Sequence, residues 1–590
     1  MLDTPVLRGR VSPRLTSLLA AAALVAAVTS FSGPSQAAHP PVAVFPAADT
    51  LVASPDSQIS FRGATPAELT GIKVRGSVSG THGGTLRPHS DGQGASFVPE
   101  KGFKRGEHVR VYADLPLVGQ AHGYVRFRIS RPPGKWTLGA GREPGGSAEG
   151  EQHFETLPDL RPPSIVVNKR EQRARGLGNL FVASKAGPGQ DGPMIADERG
   201  RLIWFHKNPK RRSAFDFRTQ TYRGKPVLTW WQGRARPGQG KGENLIYDSS
   251  YRKIATVRAG NGYAADLHEF EISPNDTALV LVYEPVTFGG TTAMDTIVQE
   301  IDIPTGLVMY EFHALGNISS KESHGPHDKG HPYDVAHLNS IQMTPDGNLL
   351  VSARHTNTVY KLSRRTARIL WRLGGKRSDF KMVGNSDFIS QHHARLQPDG
   401  SITLFDNGGP PDPGRESRAL WLNVDEQKRR VSVRKAYKYR RSLKAFSAGS
   451  TQVLPNGDVF VGWGGSVPYF AQYTAKGSAV YDAHFKPKGD ETYRAYRFPW
   501  HGQPVHAPDV AARAADGKTD VFASWNGATE VARWQVRAGS SKSTLAPVAT
   551  VARDGFETKA TIGGTPAFVQ VRALDASGTP LGTSRAVKPE

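Results

Sequence analysis

The chain has 590 residues, a formal charge of +22 and no cysteine. That length exceeds one ordinary compact domain, so several domains or one large repeat architecture are expected. The missing cysteine excludes disulfides, thiolate catalysis and an N-terminal lipid-cysteine anchor, which leaves stability to a large core. The charge favours anionic surfaces or small anions, and no nucleic-acid motif accompanies it, so nucleic acid is not an expected partner.

Residues 1–37 are expected to be a secretory signal peptide. Arg8, Arg10 and Arg14 precede the apolar run "LTSLLAAAALVAAVTSF", and "SQA" at Ser35–Ala37 supplies a small-x-small cleavage site near Ala37. The run is too short and too rich in Ala and Ser for a membrane span. A secreted or extracytoplasmic location follows. Such a leader accounts for only two of the net positive charges.

Residues 38–132 hold short alternating stretches ("QISFRGA", "GIKVRGSV", "HVRVYADL", "YVRFRISRP") separated by Gly, Pro, Asp and Ser. This pattern predicts an Ig-like β-sandwich. Residues 133–163 lose periodicity and are rich in Gly, Pro and Glu, as in a linker or an extended strap.

Residues 164–540 repeat a hairpin, in "HEFEISPNDTALVLVYE", "HLNSIQMTPDGNLLVSAR", "HHARLQPDGSITLFDN" and "TQVLPNGDVFVGWG". Pro274, Pro345, Pro398 and Pro455 mark the turns, 71, 53 and 57 residues apart. Proline presets φ for the turn, and Asn, Asp and Gly take its tighter positions. A period of this size with several short strands fits propeller blades, so the fold class is all-β, a propeller preceded by a sandwich. A row of separate sandwiches is the alternative. The stretch "TDVFASWNGATEVARWQV" is expected to close the propeller, and residues 541–590 to form a C-terminal β cap. The basic run Lys428–Lys444, with nine Lys and Arg, reads as a solvated outer strand or a contact with an anionic cell envelope.

The hairpins carry the chemistry. His268, His337 and His392 each open one, and Glu284, Arg354 and the pair Asp406–Asn407 close them. In a propeller these ends converge on the channel mouth. His268, His337, His392 and Thr451 lie 6, 8, 6 and 4 residues before their turn prolines. Even offsets put all four on one strand face if no bulge intervenes, and put His393 on the other. Three histidines from separate strands can hold zinc, but the permanent charge of Arg354 opposes a cation, so no metal is expected. "HGPHDKGH" (His324, His327, His331) has ligand-like spacing in the setting of a surface loop. Arginine with neutral histidines suits an oxyanion, and an imidazole free of metal serves as nucleophile or proton carrier. No phosphate-cradling G-x-x-x-x-G-K-[ST] loop exists, and no cofactor is expected.

At these residues the chain resembles the bacterial arylsulfate sulfotransferases, the arylsulfotransferase (ASST) family. The carrying stretches are "DLHEF" (266–270), "HLNSI…DGNLLVSARH" (337–355), "QHHAR" (391–395) and "FDNG" (405–408), with support from "GGKRSDF", "GSTQVLPNGDVFVGWG" and "SWNGATEVARW". The resemblance implies a six-bladed propeller with an N-terminal sandwich. It implies sulfuryl transfer from a phenolic sulfate donor to a phenol acceptor through a sulfohistidine, without a nucleotide sulfate. Carried over by motif, His392 is the nucleophile, His337 and Arg354 bind the sulfuryl oxygens, and His268 assists the phenol oxygen. Asn339, His355, Asn407 and Thr451 follow as substrate-binding positions. His393 departs from the family pattern, which has Thr or Asp there. A non-catalytic propeller binding anionic ligands or envelope glycans remains an alternative, as does another propeller enzyme such as a polysaccharide lyase. A quinone-dependent dehydrogenase would need per-blade Trp motifs that the hairpins lack.

Overall fold

The computed structural model describes residues 40–133, 149–185, 187, 189–236, 238–327, 331–409, 415–465 and 467–590. The expected leader, and residues 134–148 of the expected linker, lie outside them. Apart from two single 3-10 turns, Gln172–Ala174 and Ser320–Glu322, the regular elements described are all strands.

The first strands form two four-stranded antiparallel sheets. One runs Ala43–Phe45, Ile59–Arg62, Gly94–Pro99, Gly84–Pro88 in spatial order; the other runs Gly80–His82, Lys73–Gly76, His108–Tyr112, Val125–Arg128. Their alternating apolar residues, among them Phe61, Val74, Val109 and Phe127, share one core. Phe45 also packs into a neighbouring core with Leu281 and Tyr310, so this sandwich is docked on the sheets that follow.

Six further sheets follow. The repeated turn explains their regularity. Gly347, Gly400 and Gly457 sit at φ 77°, 80° and 79°, where a residue with a Cβ is disfavoured. Each amide donates to the carbonyl three residues back, on Thr344, Gln397 and Leu454. Asp276 (φ 59°) takes the same place in "SPNDT". The innermost strands are Ser213–Tyr222, Phe270–Ile272, Leu338–Met343, His392–Leu396, Ser450–Val453 and Glu491–Phe498, and each touches the next in a closed ring. Strands such as Leu349–Ala353 are buried along their whole length, because sheets stack on both of their faces.

Two strands from the ends of this region close the ring. Glu491–Phe498 pairs with Asn179–Lys185 in the first sheet, and Ile165–Arg170 pairs with Ala479–Phe485 in the last. No edge is then left for the stretch expected to close it. Lys518–Ser524 instead pairs with Asp509–Ala515 and Glu557–Gly563, and Arg533–Gly539 pairs with Ala546–Ala552 and Phe568–Leu574. These sheets share their own core around Val521, Trp534 and Val571. Strand pairing therefore changes partners near residue 509 rather than 540.

Residues 149–163 form a strap. Phe154 packs its ring 4.5 Å from Phe556, and the Glu155 and Thr156 amides donate to Glu557 at 3.1 and 2.7 Å. The basic run supplies Arg430–Tyr437, the outer member of its four antiparallel strands, with the short Lys381–Val383 beyond it.

Candidate active site

At one end of the ring, His268, His337, Arg354 and His392 line a single cavity of about 580 Å³, with Phe215 and Tyr493 on its apolar side. All four were expected together from the hairpin ends, and the structure brings them together.

Each histidine is held by an acceptor on one ring nitrogen. Asp266 Oδ1 accepts the His268 amide at 3.0 Å and its ring Nδ1–H at 2.5 Å, while Asp266 Oδ2 accepts the Gly240 amide at 2.7 Å. Asp334 treats His337 the same way, taking the amide at 2.9 Å and Nδ1–H at 2.6 Å. His392 Nδ1 faces the Asn407 Oδ1 (2.7 Å) and the Ser390 carbonyl (3.1 Å), both acceptors. Asn407 is fixed in turn, since its Nδ2 donates to the carbonyls of Ala445 and Ala448 at 2.8 and 3.1 Å. A carboxylate or carbonyl can only accept, so Nδ1 carries a proton in all three rings, and a ring that is neutral keeps its lone pair on Nε2.

Electrostatics reinforce that state. Burial, then the charge of Arg354, push the His392 pKa well below its usual value. Burial, then His268 and Arg354, do the same to His337. Both imidazoles are neutral at physiological pH. Arg354 donates to His355 Nε2 at 3.1 Å and to the Phe446 carbonyl at 3.0 Å, and its buried Nε has no partner. Among the described residues no carboxylate lies within 4.0 Å of it. His392 Nε2 accepts the Ala448 amide at 3.2 Å, and Ala448 adopts a left-handed φ of 62°, uncommon for a residue with a Cβ.

The remaining expected residues separate. His355 belongs to the site: its Nδ1–H donates to the Asp334 carbonyl at 2.8 Å, and burial lowers its pKa to about 4. Asn339 is fully buried behind the cavity, donating to the Gln391 carbonyl at 2.8 Å, with its Oδ1 unpartnered. Thr451 does not reach the cavity. Its hydroxyl donates to the Leu404 carbonyl and its amide to His393 Nδ1 at 3.2 Å. The even-offset count required unbroken strands. The strand register instead shifts between His392 and Arg395, and His337 and His393 both take left-handed backbone, at φ 54°, so equal offsets no longer mean equal faces.

His393 lies in a buried charged layer beneath the cavity. Its Nε2–H donates to Tyr496 Oη at 3.2 Å, and Tyr496 donates to Asp216 at 2.9 Å. Glu269 anchors this layer, accepting from Arg218 (2.8 Å), Arg494 (3.1 Å) and Arg395 (2.7 Å). Arg494 also reaches the carbonyls of His268 and Asn339 at 3.0 and 2.8 Å, tying this layer to the site above.

Among the described residues, Asp334, His337 and His355 bring ligand atoms within 4.8 Å of one another. Arg354, against His355, opposes a cation there. His324, His327 and His331 are exposed, as the surface-loop reading expected. Asp266, Asp334, Tyr493 and the Ala448 amide were not foreseen. The first two stand two and three residues before their histidines, a signal present in the sequence; the others arrive from distant strands and loops.

Residues 218–486 match the family model described as Arylsulfotransferase (ASST). That stretch, a little under half of the chain, is similar to the arylsulfotransferase (ASST) family. The match supports arylsulfotransferase activity in general, with phenolic substrates as the class. No curated protein matches. Similar solved structures include a Bacteroides caccae protein of unknown function, at 13% identity and a TM-score of 0.36, covering 54% of this chain and 97% of that one. A catalytically inactive virginiamycin B lyase from Staphylococcus aureus with quinupristin has 8% identity, a TM-score of 0.29 and coverages of 61% and 96%. Saccharomyces cerevisiae Sqt1 has 13% identity, a TM-score of 0.28 and coverages of 59% and 79%.

Proposed function

We propose that this protein is an exported arylsulfate sulfotransferase of the ASST family that moves a sulfuryl group from a phenolic sulfate ester to a phenol through a sulfohistidine on His392. The observation that carries this reading is the state of His392. It is a neutral imidazole that lines a cavity beside Arg354, with its proton held on Nδ1 by Asn407 and its Nε2 accepting the Ala448 amide, a contact the substrate would replace.

In the first half-reaction Nε2 attacks sulfur, the sulfur–aryl oxygen bond breaks, and the departing phenolate takes a proton from His268. Asp266 on Nδ1 fixes the orientation of the His268 ring that supplies it. Arg354 holds the sulfuryl oxygens, with His355 fixing the guanidinium, His337 lining the same cavity, and Asn407 and Asn339 fixing the strand ends. A preorganised donor of this kind is worth about 3–4 kcal/mol in a dry site. In the second half-reaction the acceptor phenol gives its proton back to His268 and attacks sulfur, and the nitrogen–sulfur bond breaks. Attack and departure in line, with charge spread over three oxygens, follow the logic of phosphoryl transfer. Phe215 and Tyr493 offer ring faces for the aryl groups. No nucleotide takes part.

The same reading takes the six sheets as blades of a six-bladed propeller, the two four-stranded sheets that precede them as an Ig-like sandwich, and the basic outer strand as a surface for an anionic envelope.

The test is turnover. With p-nitrophenyl sulfate and phenol, the wild type should release nitrophenol and form phenyl sulfate, His392→Ala should do neither, and folded His393→Ala should retain both. Full turnover by His392→Ala, or no turnover by the wild type across several aryl sulfates, overturns the reading.

A further inference from the structure

The loop of residues 445–449 touches three parts of the site at once. Its Ala448 amide donates to His392 Nε2 at 3.2 Å, and its Phe446 carbonyl accepts from Arg354 at 3.0 Å. Its Ala445 and Ala448 carbonyls accept from Asn407 at 2.8 and 3.1 Å, and Asn407 also holds the proton on His392 Nδ1. The imidazole, the residue that sets its tautomer and the guanidinium are all joined to one short stretch of backbone.

That stretch is held from both sides. The Ala445 amide donates to Ser417 Oγ at 2.8 Å, the Ser447 carbonyl accepts the Gly465 amide at 2.7 Å, and the Gly449 amide donates to the Tyr493 carbonyl at 3.0 Å. Ala448 is 4% exposed with φ at 62°, and Gly449 follows at φ 103°. A residue with a Cβ disfavours such backbone, so it is the surroundings that hold the Ala448 N–H toward Nε2. A donor fixed in this way does not swing out to solvent when its acceptor is lost.

Sulfuryl transfer takes that acceptor away. Attack turns the Nε2 lone pair into the nitrogen–sulfur bond, and the sulfur–oxygen bonding pair leaves with the aryl oxygen, which takes a proton from His268. Nδ1 keeps its proton, so the ring has no lone pair left to accept the amide. A buried amide without a partner costs about 1–3 kcal/mol, and the sulfuryl oxygens arrive on the very atom that the amide faces. We propose, resting on the sulfohistidine reading, that the Ala448 N–H passes from His392 Nε2 to a sulfuryl oxygen as the nitrogen–sulfur bond forms, and so acts as a backbone oxyanion donor beside Arg354. Its hydrogen stays on nitrogen throughout. A preorganised donor of this kind acts on charge as it develops.

Ala448→Pro would remove the N–H but cannot adopt a φ of 62°, so the test exchanges the amide for an ester. Lactic acid placed at position 448 of the full chain by nonsense suppression replaces only the N–H by oxygen. Sulfation by p-nitrophenyl sulfate without acceptor is followed by nitrophenol release in a single turnover, and the adduct is mapped by mass spectrometry. The ester should sulfate His392 about 10²-fold more slowly than wild type, and Ala448→Gly, which keeps the donor, should lose less than tenfold. A contact that only holds the resting ring gives the opposite result, because freeing the lone pair leaves sulfation at or above the wild-type rate. A second measurement needs no variant. In trapped, sulfated wild type, hydrogen exchange at the Ala448 amide should stay as slow as in the resting protein. Faster exchange there, an equal loss in Ala448→Gly, or an ester rate at or above wild type with the adduct on His392 overturns the proposal and leaves the sulfohistidine reading standing. No adduct on wild type overturns both.

Discussion

Two buried polar layers lie one above the other on the same inner strands, and they differ in how their charges are paired. In the lower layer one carboxylate, Glu269, accepts from three arginines, and Arg494 reaches Asp216 as well at 2.9 Å. In the upper layer Arg354 has no carboxylate within 4.0 Å among the described residues, and it lines a cavity together with His392. Residue types barely distinguish the two, since each holds histidine, arginine, tyrosine and acid. Charge pairing does. A guanidinium held by buried carboxylates is structure, and one that lines a cavity without a carboxylate awaits an anionic substrate.

The sharpest way to break this contrast is to remove one histidine from each layer. His392→Ala should lower turnover by about 10⁴-fold or more, while unfolding shifts by about 1–2 kcal/mol. His393→Ala should do the reverse, costing about 1–3 kcal/mol of stability and less than about tenfold in turnover, both read by denaturant melts beside nitrophenol release. Next in size, Glu269→Ala takes the shared carboxylate from three buried guanidinium groups and should cost about 3–5 kcal/mol or prevent folding. Glu269→Gln, which keeps the shape, should fall between. Arg354→Ala should lower kcat/KM by about 10²–10³-fold without loss of stability, because the cation it removes has no carboxylate to strand.

The smallest effect is pH dependence. His392, His393, His337 and His355 all have folded-state pKa values below that of an unfolded histidine, chiefly through burial. Below about pH 6.5 the unfolded chain therefore binds protons that the folded chain does not. Their contribution to stability is present above that pH and lost as pH falls, so Tm should decline steadily from pH 6.5 to 5. Turnover of the molecules still folded should persist through pH 6, because His392 stays unprotonated. A sharp loss of turnover at pH 6.5 with unchanged Tm would contradict both statements.

The ring was legible because its turns are. Proline, Asp or Asn, and Gly recur at one geometry, and a left-handed glycine is a strong local signal. The histidines and Arg354 were legible because hairpin ends converge whatever the detail of the strands. Thr451 was misplaced because a bulge beside His392 and left-handed backbone at His337 and His393 cannot be read from alternation. Closure by Glu491–Phe498 and Ile165–Arg170 was hidden for a related reason: pairing between strands some 300 residues apart leaves no local mark. The Ala448 amide was invisible too, because a backbone donor has no residue type to announce it.

One measurement bears directly on the upper layer. Incubate the protein with an aryl sulfate in the absence of acceptor, digest it at neutral or alkaline pH, and map the adduct by mass spectrometry. The account predicts a mass gain of one sulfuryl group on the peptide carrying Gln391–His393, fragmenting to His392, absent from His392→Ala and discharged by added phenol. An adduct on His393, or steady turnover with no histidine adduct in any trapped sample, would contradict it.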